Sequence, residues 1–365
     1  MKNVSRYLID YATGNDNNLN LLRFVAASLV LYSHCFPLAL GWGASDPIAS
    51  LSGISLGEIA VDVFFIISGF LIAASFYSRN NIWVFIWSRV LRIYPALVVA
   101  IFFCVFFIGA SFTEVGLKEY FLDPQTAIFL VKNSTLVFGV EYVLPGVFES
   151  APCKYSVNGS LWTLPYEILM YVVLACALTL LNYVDKQPDR KVTKLIVGVV
   201  CSFAVCLHVA NHFMDFFPVE LLRLFSMFFI GCAFFLWREK ICISSKWTFL
   251  SIIVLLAALI HNDLFFVVYT LTLPLILFFL AYIPSGRIRK YNQCGDYSYG
   301  MYIYAYPVQQ SVVELFPGIS VLGMFVVSFS VTLFLSIISW HLVEKRFLKL
   351  KKYVSLKFNS NPLSN

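Results

Sequence analysis

The sequence predicts an all-α polytopic membrane protein, with about ten transmembrane helices in one bundle and a long extracytoplasmic loop between helices three and four. Three observations predict it. Of the 365 residues 60% are hydrophobic and only 13% charged, where a soluble domain carries roughly 25% charge. Apolar runs recur near the ~20 residues that cross a hydrocarbon core of ~30 Å at ~1.5 Å per residue. Lys and Arg, finally, gather in alternate connections between those runs.

The predicted spans are 21–39, 57–76, 90–109, 162–182, 193–210, 221–236, 247–260, 264–282, 297–313 and 319–340, the seventh being short. The first follows about twenty mostly polar residues, contains Arg23 and His34 and lacks a small-x-small cleavage site, so it reads as a retained helix rather than a secretory signal. Basic residues then fix the orientation. With the N-terminus inside, the inner segments hold Lys2 and Arg6; Arg79, Arg89 and Arg92; Lys186, Arg190, Lys191 and Lys194; Arg238, Lys240 and Lys246; Arg287, Arg289 and Lys290; and the tail from Lys345 to Lys357. The outer segments hold Lys118, Lys132 and Lys154, with Arg223 just inside a helix. Both termini are therefore expected on the cytoplasmic side.

The net charge of +6 is absorbed by this topology, which argues against a nucleic-acid partner and leaves membrane lipids as the surroundings. The nine Cys lie mostly within apolar runs, without metal-site spacing, and read as small core residues; no metal is expected. Cys153 alone stands in the long loop. The expected organisation is a cytoplasmic segment over 1–20, a transmembrane domain over 21–340 with the extracytoplasmic loop at 110–160, and a flexible basic cytoplasmic tail over 341–365. A connection as long as 110–160 reads as a partly folded or re-entrant cap over an external opening, or as a tolerated insertion.

Polar groups within the apolar runs are the candidate site residues. Arg23 and His34, eleven apart, project within about 20° of each other on an ideal helix and differ by about 16 Å in depth. Arg23 reads either as a snorkelling cation or as part of a site. His34 reads as a base working near neutral pH or as an interfacial hydrogen-bonding group. Asp62 enters the second span, where a carboxylate needs a partner, and Ser68-Gly69 below it permits close approach of a neighbour or ligand. Arg89 and Arg92 share a face if the third helix has begun, and with Arg23 they suit a ligand bearing several phosphates; inside anchoring explains them too. Glu167, one turn into the fourth span, needs a partner or a wet cavity. Arg223 reads as another buried cation, Pro274 and Pro307 as kinks, and Tyr302, Tyr304 and Tyr306 as an aromatic lining or as packing.

The spacing Arg23-x10-His34, AVDVFFIISGFLIAASF at 60–76, WSRVLRIYPALVV at 87–99, SLWTLPYE at 160–167 and SYGMYIYAYP at 298–307 occur in that order along the chain. Together they resemble the membrane acyltransferase-3 family of bacterial surface-polysaccharide and lipid-linked saccharide O-acyltransferases. The resemblance implies O-acetylation: acetyl-coenzyme A as cytoplasmic donor, a hydroxyl of a glycan or lipid-linked sugar as acceptor, surface-glycan assembly proteins as partners, and a bacterial inner membrane as location. Arg23 and His34 match the family's essential pair, Arg89 and Arg92 its paired-Arg motif, and Glu167 the acid ending its Ser-Leu-Trp phrase; Asp62 lies beside its Phe-Phe-x-x-Ser-Gly-Phe phrase. Two departures are notable. Ala305 stands where many relatives carry His, which puts more weight on His34. The chain also has no room for the SGNH esterase-like domain that many relatives append, so it resembles the stand-alone form.

On this reading Arg23, Arg89 and Arg92 hold the donor's phosphates. His34 deprotonates the sugar hydroxyl or is itself transiently acylated, and Asp62 or Glu167 orients it. The rival class is an ion-coupled transporter of a small polar or anionic solute, which intramembrane Asp, Glu and Arg also fit. A receptor or purely structural role leaves the inner basic cluster without a purpose.

Overall fold

The computed structural model describes residues 7–12, 14, 16–78, 81–185 and 190–359. Lys2, Arg6, Arg79 and Lys186, which contribute to the charge argument, lie outside the described residues. The chain is all-α: ten long helices carry the fold, and among the described residues extended pairing is limited to two isolated bridges, Tyr7 with Cys242 and Thr113 with Val147. The helices are α1 (Leu19–Leu40), α2 (Leu56–Tyr77), α3 (Ile82–Phe103), α4 (Thr163–Val184), α5 (Lys191–Met214), α6 (Val219–Leu236), α7 (Ser245–Ala257), α8 (Asn262–Tyr282), α9 (Ser298–Leu315) and α10 (Val321–Ser339), followed by α11 (Lys345–Asn359).

Among the described residues eight helical stretches are long and apolar enough to cross a membrane, so the protein is a multi-pass membrane protein. The two expected spans outside that set have different reasons. α7, even with the 3-10 turn that extends it to Ile260, is short. α9 is polar because it is interior: every residue from Ser298 to Gln310 is buried, including Gln309 and Gln310. A helix covered on all sides is sorted by its protein neighbours rather than by lipid. Elsewhere large apolar side chains such as Phe107, Phe203, Phe249 and Phe334 point outward, as a lipid-facing surface requires.

The boundaries follow local chemistry. Ser55 caps α2 through a reciprocal box with Glu58: the Glu58 amide donates to Ser55 Oγ at 3.1 Å, and Glu58 Oε2 accepts from the Ser55 amide at 2.8 Å. Asn81 caps α3 by accepting from the Trp83 amide at 2.8 Å. The third helix therefore begins well before the expected 90, so that Arg89 and Arg92 lie two turns inside it. It continues through a π-helical stretch, Cys104–Gly109, to Phe112. A second π stretch, Trp340–Glu344, joins α10 to α11. The tail is thus not a flexible segment from 341 onward: helix runs to Asn359, continuous with the last span.

The chain forms two compact units. The first comprises 1–26, 47–78 and 166–295; the second comprises 27–46, 79–165 and 296–365. In the first, α2 and α6 meet with their backbones in contact. A Cβ on Gly69 would lie 1.9 Å from the Phe228 carbonyl oxygen, and one on Gly231 would lie 2.1 Å from that of Ile66. Helix association in lipid depends on such close packing because no hydrophobic drive separates helix from solvent there. In the second unit α9 packs on α10, whose buried face is small and hydroxylic: Ser328, Thr332, Ser336 and Ser339. The long connection is largely folded, with helices Leu117–Leu122 and Pro124–Thr135 and a 3-10 turn at Gly159–Trp162.

Candidate active site

His34 belongs to the second unit and stands three residues before Pro37, which lies inside α1. Proline cannot close the helical hydrogen bond, so α1 needs side chains to hold this turn. Ser33 Oγ donates to the buried Asp46 carboxylate at 2.7 Å, and Gln309 of α9 donates from Nε2 to the Leu31 carbonyl at 2.8 Å. The His34 ring meets Tyr306 edge to face, with centroids 5.4 Å apart at 79°. Its Nδ1 is buried without a hydrogen-bond partner among the described residues. Unpaired buried nitrogens are uncommon, and the residue that carries this one also lines a cavity.

That cavity has a volume of about 440 Å³ and is lined by His34 and Tyr306 from the helices, by Trp42 from the turn after α1, and by Tyr142, Cys153 and Ser156 from the long connection. The connection is fastened where it meets the cavity. Gln310 donates to the Cys153 and Ser156 carbonyls, each at 2.7 Å, and Asn158 Nδ2 donates to the Ile303 carbonyl at 2.9 Å. The Cys153 thiol donates to the Pro37 carbonyl at 3.1 Å, and burial pushes its pKa up to about 11. Cys153, singled out in the sequence only as the loop's cysteine, is a packed thiol. Ala305 is buried beside Tyr306, the residue whose ring meets His34.

Arg92 of the same unit is held by two acids: Nη2 lies 2.5 Å from Asp296 Oδ2, and Nη1 lies 3.8 Å from Glu344 Oε2. Asp296 in turn accepts from Ser298 at 2.5 Å, and Glu344, buried in the second π stretch, accepts from Ser339 at 3.1 Å. Arg89, half-buried, donates from Nε to Ser88 Oγ at 3.2 Å and lies 5.9 Å from the Phe85 ring centre.

The first unit holds Arg23, Asp62 and Glu167. Arg23 is half-buried on α1. Asp62, buried on α2, accepts from the Tyr269 hydroxyl at 2.9 Å and lies 3.3 Å from Arg223 Nε; Arg223 also reaches Glu58 at 2.8 Å. Arg223 is indeed a buried cation, with its carboxylates supplied by α2. Glu167 of α4 accepts from the Tyr171 hydroxyl, one turn on, and from Ser68 at 3.5 Å. Gly69 admits the close approach of a neighbour read for this pair, and Ser68 adds a polar contact.

Tyr306 was foreseen only as one of three aromatics; Gln309, Gln310, Asp296, Glu344 and Tyr269 escape sequence reasoning. The signals were faint: an adjacent pair of amides inside a span, and acids flanking the SYG phrase and the Lys345-Arg346 anchor.

The described site thus sets His34, with an unpaired nitrogen, against a cavity, and matches Arg92 and Arg223 with acids. Comparison with known proteins gives the family. The acyltransferase domain model of the acyltransferase-3 family matches residues 16–341, and the chain belongs to that family. It is 32% identical over 337 residues to an O-acetyl transferase of Shigella phage Sf6, covering 91% of this chain and 96% of that protein. It is also 28% identical over 172 residues to Nodulation protein 10 of Rhizobium leguminosarum bv. viciae, covering 45% of each. No solved structure matches the chain.

Proposed function

We propose that the protein is an O-acetyltransferase of the bacterial inner membrane that moves an acetyl group from cytoplasmic acetyl-coenzyme A to a hydroxyl of a cell-surface or lipid-linked saccharide. The observation that carries this reading is the His34 imidazole, with its orphaned Nδ1, in the wall of a cavity of about 440 Å³. Family membership and the O-acetyl transferase name of the phage relative support acyl transfer to oxygen. On this reading the chain crosses the membrane about ten times, both termini are cytoplasmic and the 110–160 connection caps the acceptor cleft from outside.

In the forward step His34 takes the proton of the sugar hydroxyl as its oxygen attacks the thioester carbonyl. The new C–O bond replaces the C–S bond, and the proton passes to the departing thiolate. The two-step variant places the acetyl on the imidazole first. Arg23, Arg89 and Arg92 hold the donor's phosphates at the cytoplasmic end. Asp62 or Glu167 orients the imidazole on this reading.

The test is the purified full-length protein with labelled acetyl-coenzyme A. His34→Ala lowers transfer at least ~100-fold, the lower bound for loss of a general base, while chromatographic behaviour in detergent is retained; unchanged transfer rejects both variants of the step. Arg89→Gln weakens coenzyme A binding about ten- to hundredfold, and leaves a short, phosphate-free thioester unaffected; equal loss with both donors removes the phosphate role. Mass spectrometry of surface glycans with and without the gene identifies the acceptor by its added acetyl mass. The buried Arg223–Asp62 pair is the one observation that favours ion-coupled transport. Consumption of acetyl-coenzyme A in detergent, where vectorial transport has no meaning, separates the two.

A further inference from the structure

Trp42 is presented by an unusual turn. It stands between Gly41 and Gly43, whose φ angles are +99° and +96°, and nothing lies within 4 Å of where a Cβ on either would sit. Space does not demand glycine at these positions; the left-handed backbone does. The effect of the paired left-handed turn is to leave the indole 72% exposed at the edge of the His34 cavity. Across the lining, Tyr155 is 46% exposed and adopts φ +63°, a left-handed backbone that disfavours a non-glycine residue. That conformation is fixed by neighbours on both sides. The Tyr155 amide donates to the Phe148 carbonyl at 3.2 Å, and the flanking Cys153 and Ser156 carbonyls are held by Gln310. Two large aromatic side chains are thus held in the open by backbone that resists relaxing, where burial would have been the ordinary outcome.

The chemistry of the lining selects an occupant. The lining brings four aromatic residues, Trp42, Tyr142, Tyr155 and Tyr306, together with His34, Lys154 and Ser156. A pyranose ring has the complementary form: C–H groups on its face, carrying partial positive charge, and hydroxyls around its edge. The indole face, negative at its centre, attracts such C–H groups, and the edge hydroxyls are left for hydrogen bonds. A volume of about 440 Å³ lies toward the small end of the roughly 300–1,000 Å³ of ligand pockets. It suits one ring with part of its neighbour.

We propose that Trp42 is the acceptor platform: the pyranose that receives the acetyl group stacks on the Trp42 indole, with Tyr155 as the second aromatic wall, and so presents an edge hydroxyl to His34. This rests on the saccharide-acceptor reading above. It assigns sugar recognition to residues outside every motif that carries the family resemblance, so acceptor choice is set separately from donor chemistry.

The experiment uses the full-length protein in detergent with labelled acetyl-coenzyme A and a panel of p-nitrophenyl pyranosides of hexose, 6-deoxyhexose and N-acetylhexosamine type. Trp42→Ala is expected to raise KM for the pyranosides that the wild type accepts about tenfold, the size of one lost aromatic contact. Trp42→Phe should restore most of the affinity. A Trp42→Ala KM within twofold of wild type overturns the platform while leaving the acceptor reading intact. So does a loss confined to thermal stability or membrane yield, which marks Trp42 as an interfacial anchor. Label transferred to simple alcohols such as glycerol but to none of the pyranosides overturns the acceptor reading itself, and the platform with it.

Discussion

Arg92 shows how a side chain that sequence assigns to a ligand acquires partners of its own. Its guanidinium meets Asp296 and Glu344, which lie far along the chain, and Glu344 is buried. No local pattern foretells such pairings, because they depend on which helices become neighbours; Arg23-x10-His34, by contrast, was legible because both lie on one helix. Breaking a buried ion pair from one side leaves a charge uncompensated, at a cost of about 3–5 kcal/mol. Arg92→Gln is therefore expected to lower the midpoint of thermal unfolding in detergent by several degrees, and Glu344→Gln in the same background to recover part of it. If both variants unfold like wild type, the trio is not structural. Cys153 offers a second check at this scale. With its thiol pushed up to about 11 and donating to the Pro37 carbonyl, it stays protonated at neutral pH. The raised pKa makes the folded state favour the thiol, so that contribution is complete below pH 9.0, the ordinary value, and is lost as pH rises toward 11. Alkylation of Cys153 by iodoacetamide should be negligible at pH 7.5 and climb steeply above pH 9, as followed by peptide mass spectrometry; rapid modification at pH 7.5 would contradict its burial.

Helices were the most legible part of this chain, because membrane spans announce themselves by length and apolarity. Their limits moved where caps intervened: Asn81 starts α3 eight residues or more before its most apolar stretch, carrying Arg89 and Arg92 into the helix. α9 shows the opposite difficulty, since a helix interior to the protein keeps Gln309 and Gln310 and so loses the hydropathy that marks a span. The crossing of α2 and α6 was only half visible, as Ser68-Gly69 advertised close approach without naming Gly231 as the other side. Adding a methyl at Gly69 must move the Phe228 backbone, since the carbonyl oxygen would sit 1.9 Å away. Overpacking of this kind costs about 1–3 kcal/mol. Gly69→Ala should thus reduce thermal stability measurably, and Gly69→Leu should prevent folding to a monodisperse species. An unchanged melting curve for Gly69→Ala would mean that the two helices are free to separate.

Over the whole molecule the proposed site residues are divided, with Arg23, Asp62 and Glu167 in one unit and His34, Arg89 and Arg92 in the other. The proposed orientation is tested by cysteine accessibility in intact cells. Single cysteines placed at Lys154 and at Lys349 should react from outside and only after permeabilisation, respectively; the reverse would invert the donor and acceptor sides. Neither unit is continuous, because the chain alternates between them in six segments and reaches the last one only at Asp296. This bears on the order of synthesis. Until the ribosome has passed α9 and α10, His34 lacks Tyr306, the turn at Pro37 lacks Gln309, and Arg92 lacks both of its acids. A nascent or prematurely terminated chain accordingly lacks the contacts that hold the proposed site. A chain ending at Gly295 should accumulate in the membrane without consuming acetyl-coenzyme A, and co-expression of 296–365 should return activity. Completion of the proposed site thus waits on the C-terminal helices, the last part of the chain to be made.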